Sequence, residues 1–180
     1  MKMNWLKKII KKSNPVPVGS TAPCTYAGDD TINIVHGYPV YMDGKPHTGI
    51  DLSCKPRHDV VAVGDGVVWD IRFGTKKLTS YVALQIDGDI IYYKHTSPCK
   101  DLCIGTPVKC GEVIGNVKRD LIHWAGYHLH FQINDGRGTK NDPIMWLLRH
   151  QPMLKYKFSQ YTMVGKWYAK KSYYKKMRLA

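Results

Sequence analysis

Glutamate is nearly absent from this 180-residue chain: Glu112 stands alone against thirteen aspartates. General-base chemistry must therefore draw on Asp or His, or on that one residue in the turn of "KCGEVIG". Long apolar runs are missing as well, and no stretch approaches the roughly 20 residues of a membrane span. The opening "MKMNWLKKIIKK" has the charge of a secretory n-region without an apolar core behind it. Its longest apolar runs are Trp5-Leu6 and Ile9-Ile10, so the expectation is no signal peptide. Two readings stand for this stretch. It could form a short basic helix with Leu6, Ile9 and Ile10 on one face, docking on a partner or an anionic surface, or it could be a solvated end.

Acidic residues are missing from both ends. Residues 1–20 hold five Lys and residues 149–180 hold nine Lys or Arg, with no Asp or Glu in either stretch. The formal charge of +13 therefore belongs to two tails, because 21–148 sets thirteen basic against fourteen acidic side chains. A basic, aromatic tail such as "GKWYAKKSYYKKMRLA" suits single-stranded nucleic acid, a glycan or a groove in an assembly. No RNA- or DNA-binding motif accompanies it, so nucleic acid is not the expected partner. The cysteines number five (24, 54, 99, 103 and 110) and cannot all pair within one chain. Cys99 and Cys103 have a zinc-compatible spacing, but no second close pair follows. Ordinary buried or partly paired cysteines are expected.

What the chain does contain is turn-punctuated alternation. Its length suits one domain with a real core. "NPVPVGSTAP" (14–23) reads as a linker. The expected division is a basic arm and linker over 1–30, one domain over 31–150 and a basic aromatic tail over 151–180. Within the middle, "DVVAVGDGVVWDI", "SYVALQIDGDIIYYKH" and "TPVKCGEVIGNV" fit strands and hairpins, with Asp87-Gly88 as a tight turn. "DPIMWLLRH" fits a short helix with Asp142 as N-cap and Pro143 at its first position. The fold class is mainly β.

One strand carries unusual chemistry. In "YHLHFQI", residues two apart face the same way and sit about 6.6 Å apart. His128, His130 and Gln132 thus share one face, while Leu129, Phe131 and Ile133 form an apolar face suited to a core. Upstream, "HTGIDL" sets His47 four residues before Asp51, and a bend at Gly49 would let imidazole and carboxylate converge on one ion. "IIYYKH" ends at His95, and strand alternation places Tyr93 and His95 on a common face.

In order and spacing, "HTGIDL", "VVAVGDGVV", "YKH", "VKCGEVIG" and "GYHLHF" resemble the lysostaphin/LytM-type zinc endopeptidases, hydrolases of the peptide part of bacterial peptidoglycan. The resemblance covers roughly residues 36–147, and its HxxxD and HxH pair is the specific part. It implies an antiparallel β fold of barrel-sandwich-hybrid type with the site in a groove walled by loops. It also implies one zinc ion held by His47, Asp51 and His130, with His95 and His128 as the two catalytic histidines. The pattern departs from the family at "LTSY", at "KRDLIHWAG" and at Tyr127, positions that shape groove walls and so bear on substrate choice.

The chemistry of those residue types is consistent with the implied roles. A catalytic zinc takes three protein ligands and leaves a position for water. One carboxylate and two neutral imidazoles leave a net charge of +1, able to bring that water's pKa to about 7. His95 and His128 would divide proton transfer and oxyanion stabilisation, in an order the sequence leaves open. Tyr93 is either a hydrogen-bond donor near the site or a packed sheet tyrosine. His36, His58, His123 and His150 have no such companions, and surface or structural places are expected, with His36 and His123 as candidates to line the groove.

The leading functional expectation is a peptidoglycan endopeptidase acting at the bacterial cell wall. It could be a bacteriophage lysin or a virion-associated hydrolase, docked on tail proteins by its basic termini. A non-catalytic relative that binds wall material, or a structural protein using the tails, is the alternative.

Overall fold

We describe a computed structural model of the chain, covering residues 31–39, 45–75, 78–120, 126–151 and 155–158. The arm and linker over 1–30, the segment with His123 and the tail beyond 158 lie outside the described residues.

Among the described residues thirteen strands and one helix follow one another. The first seven strands are β1 (Thr31–His36), β2 (Ile50–Ser53), β3 (Asp59–Val61), β4 (Gly66–Arg72), β5 (Tyr81–Ile86), β6 (Asp89–Lys94) and β7 (Thr96–Pro98). Then come β8 (Pro107–Val108), β9 (Val113–Val117), β10 (Arg119–Asp120), β11 (Gly126–Asn134) and β12 (Lys140–Asn141). Helix α1 (Pro143–His150) and β13 (Lys155–Phe158) complete the chain's described part. The larger sheet runs β13-β1-β2-β11-β6-β5-β4-β8, with β10 and β12 also on β11, and a smaller sheet runs β3-β9-β7. No barrel closes. The pairing is antiparallel except between β13 and β1, so the start of the basic tail joins the sheet as a parallel edge strand.

Local chemistry explains these elements. β5 and β6 are joined by Asp87-Gly88, both at positive φ (51° and 86°), the backbone a two-residue hairpin turn requires. α1 begins where expected: the Asp142 carboxylate accepts from the backbone N–H of Ile144 and Met145 at 2.9 and 3.3 Å, and Pro143 occupies the first turn. Its Ile144, Trp146 and Leu147 are buried and join the core built on Ile50, Leu84, Ile91 and the apolar residues of β11. Trp146 Nε1 also donates to Asp89 Oδ2 at 2.8 Å, tying the helix to the β5–β6 hairpin. Cys54 is disulfide-bonded, and Cys99, Cys103 and Cys110 are not in disulfides. Among the described residues no helix is long and apolar enough to cross a membrane.

Candidate metal centre

β11 lies between β2 and β6, and this order creates the site. Register sets His130 opposite Asp51 of β2 and opposite Lys94 of β6. Directly opposed residues point to the same face, so the Asp51 carboxylate and the His130 imidazole meet. His47 arrives from the bend that leads into β2. Gly49 makes that approach possible through clearance. A Cβ at this position would lie 2.4 Å from the Phe131 carbonyl oxygen and 2.9 Å from His130 Nε2. Any side chain would push the His47 segment off the strand it must touch.

His130 Nδ1 lies 2.9 Å from Asp51 Oδ1 and 3.0 Å from His47 Nε2, and His47 Nε2 is 3.2 Å from the same carboxylate oxygen. All three side chains are buried. Among the described residues they form the group of metal-capable side chains whose ligand atoms all lie within 4.8 Å of one another. The state of His47 follows from its other nitrogen, which sits 2.5 Å from the Gly37 carbonyl oxygen. A carbonyl only accepts, so His47 Nδ1 carries a proton and donates it there, which leaves Nε2 on the side of Asp51. Burial alone would raise the pKa of Asp51. Its contacts with His130, His36 and His47 outweigh that effect and hold the carboxyl below the ordinary range. Burial, opposed in part by Asp51, draws the His130 imidazole down to about 4. A buried carboxylate beside two buried imidazoles is a donor set able to hold a cation, and two N ligands with one O ligand suit zinc.

The family model for peptidase family M23 matches residues 45–143, more than half of the chain. The chain belongs to peptidase family M23. Solved structures with the same fold include the catalytic domain of the antimicrobial peptidase lysostaphin from Staphylococcus simulans (24% identity, TM-score 0.52, covering 62% of this chain and 88% of that one). A second is the catalytic domain of the prophage-encoded M23 protein EnpA from Enterococcus faecalis, solved as a point mutant (23%, TM-score 0.53, 69% and 96%). A third is a zinc-containing peptidase from Vibrio cholerae (23%, TM-score 0.54, 67% of this chain). The chain thus spans most of two isolated catalytic domains but 37% of the Vibrio protein. No curated protein sequence matches it.

Around the three metal-capable residues of this M23 chain stand two further histidines. The rings of His95 and His128 pack with centroids 4.4 Å apart, and His128 Nε2 is 3.9 Å from Asp51 Oδ1. Both are buried. His95 reaches this cluster by leaving its strand at a left-handed φ of 61°. Here the alternation-based expectation is corrected. Tyr93 and His95 do not share a face, because the backbone turns between them. Tyr93 is fully buried, packs edge-on against Phe131, and its hydroxyl accepts from the Val63 N–H at 3.1 Å. Of its two readings, the packed sheet tyrosine is the one observed.

His36, expected at a surface or structural place or along the groove, touches the site through a contact the sequence did not specify. Its Nδ1 lies 3.0 Å from Asp51 Oδ2, the oxygen turned away from His47 and His130. That contact, against a smaller opposing effect of burial, raises the His36 pKa. A weak signal was available, since His36 ends a strand-like run shortly before "HTGIDL", but only the β1–β2 register, which sets His36 opposite Asp51, turns it into a contact. His58 and His150 take structural places. His58 Nδ1 accepts from the Lys55 N–H, and His150 stacks on Trp146 and donates from Nδ1 to that residue's carbonyl at 2.9 Å.

Proposed function

We propose that this chain is a zinc metalloendopeptidase that hydrolyses peptide bonds of bacterial peptidoglycan. The observation that carries this reading is the convergence of His47 Nε2, Asp51 Oδ1 and His130 Nδ1 on one point beside the His95–His128 pair. Membership of family M23 and the lysostaphin-like fold support it. His47, Asp51 and His130 hold one zinc ion. When bound, the ion supplies Lewis-acid polarisation of the scissile carbonyl and acidifies water at neutral pH. The protein does the rest through position. Asp51 contributes the negative charge, and His47 stays oriented by its Nδ1–H donation to the Gly37 carbonyl. His95 and His128 stand on one side of this group, near enough to each other for one to accept a proton from water while the other donates to the developing oxyanion.

Two assays test the reading. Purified protein should bind about one zinc per chain and clear cell-wall substrate, and His130→Ala should lose both the metal and the clearing. Digestion of defined peptidoglycans with product mass analysis then identifies the bond. Stoichiometric zinc with no hydrolysis of any peptidoglycan chemotype would reject the enzymatic reading and favour a wall-binding relative. The finer proposal is a phage lysin or virion-associated hydrolase whose domain over 31–150 is flanked by basic docking tails. Mass spectrometry of purified particles tests it, and absence there rejects the virion role.

A further inference from the structure

The metal centre is one end of a longer line of side chains. Register sets Asp51 of β2, His130 of β11, Lys94 of β6, Tyr81 of β5 and Arg72 of β4 opposite one another in turn. Opposed residues share a face, so five strands place these side chains in one row across the sheet. Neighbouring strands lie about 4.8 Å apart, which sets Arg72 about 14 Å from His130 along the row. An extended peptide covers that span with about four residues.

Past the metal centre the row is cationic. Lys94 is half-buried and its Nζ donates to Gln132 Oε1 at 2.7 Å, and an ammonium has two further protons to offer. The Arg72 guanidinium is exposed and lies over the Tyr81 ring, 4.8 Å from its centroid. Stacking occupies the face of the guanidinium and leaves its N–H edge for a ligand. Lys140 of β12 stands opposite Asn134, on the face of β11 that also carries His130 and Gln132. Burial lowers the Lys94 pKa, and the charges of Lys140 and Arg72 add to that effect against Asp51.

The two carboxylates of this row and the next are engaged. Asp51 faces His36, His47 and His130. Asp70, opposite Ala83, accepts from the Ile71 N–H through Oδ1 at 2.8 Å and from the Tyr81 hydroxyl through Oδ2. Cations gathered on one face repel one another, and a bound anion offsets that repulsion while making charge-assisted hydrogen bonds.

We propose that Lys94 and Arg72, the latter mounted on Tyr81, form a subsite for a free carboxylate of the peptide substrate within about four residues of the scissile bond. The inference rests on the hydrolase reading of the site and narrows it. Preferred peptides carry an ionised carboxyl near the bond that is cut, and amidated or uncharged peptides are poorer substrates.

The test compares defined peptidoglycan peptides as free acids and as the corresponding amides, on the zinc-loaded full-length protein. The free acid should have the higher kcat/KM by about 10–100-fold, chiefly through KM. Peptides amidated only at the C-terminus, or only at side chains, identify which carboxyl is read. Arg72→Gln and Lys94→Met should each lower the preference, and the double variant should abolish it. Both forms meet the same preparation, so any loss of folded protein cancels in the ratio. Equal turnover of the two forms by the wild type, or a preference unchanged in both single variants, overturns the proposal. Calorimetric binding of the same peptides to the full-length protein reads the subsite even when neither form is cut. Tighter binding of the free acid, weakened in Arg72→Gln, would then refute the hydrolase reading alone, and equal binding would refute the subsite.

Discussion

The two faces of β11 are nearly equally dry and are built on opposite principles. Leu129, Phe131 and Ile133 are 0% exposed, while His128, His130 and Gln132 are 7, 6 and 5% exposed. On the apolar face burial is the whole account. Transfer from water is non-directional, and tight packing against Tyr93 and its neighbours adds the rest. On the polar face burial is a cost that only directed contacts offset, and each ring nitrogen or amide atom must meet a complementary partner. The contrast teaches that depth does not mark the site; the direction of donors and acceptors does.

The comparison can be broken by removing one side chain from either face. The largest effect is expected from His128→Ala. It should leave zinc stoichiometry intact and lower the hydrolysis rate by about 10²–10⁴-fold, and loss of metal in step with rate would end the separation of metal holding from proton transfer. Phe131→Ala should cost about 3–5 kcal/mol of stability, measured by urea unfolding, while the folded fraction keeps its zinc. A variant of ordinary stability without metal would show that the apolar face takes part in the site chemistry. His36→Ala tests the contact behind Asp51. Zinc affinity should fall by about 10–100-fold with little change in melting temperature, and unchanged affinity would reduce His36 to a surface residue. The smallest effect is expected from Tyr93→Phe, which deletes the acceptor for the Val63 N–H and should cost about 1 kcal/mol. Turnover per folded molecule should stay the same; a drop would return Tyr93 to the reaction.

Much of the architecture was legible because its signals are local. Asp87-Gly88 specifies its hairpin through backbone preference, Asp142-Pro143 specifies a helix start, and strict alternation in "YHLHFQI" identifies a strand and both of its faces. Family resemblance and geometry also meet on His47, Asp51 and His130, since an HxxxD bend beside an HxH strand leaves few ways to arrange these atoms. The misses share a cause. Alternation extends a face only while the backbone remains extended, so it failed between Tyr93 and His95, where φ turns positive. His36 was named only as a candidate to line the groove, because its contact with Asp51 depends on the β1–β2 register. The parallel pairing of Lys155–Phe158 with β1 was hidden in a stretch that looked like basic tail.

The sequence by itself determined which chemistry is available: five histidines and one aspartate of the right types, an almost complete lack of glutamate, and a β framework to mount them on. Those are matters of residue identity and short-range preference. Only the tertiary structure decided how the groups act together. It placed Asp51 opposite His130, aimed His36 at the back of the carboxylate, sent Tyr93 into the core, and set Lys94, Tyr81 and Arg72 in line with His130. A hydrogen bond depends on tenths of an ångström and on which end of each group faces its partner, and strand pairing across distant segments sets both.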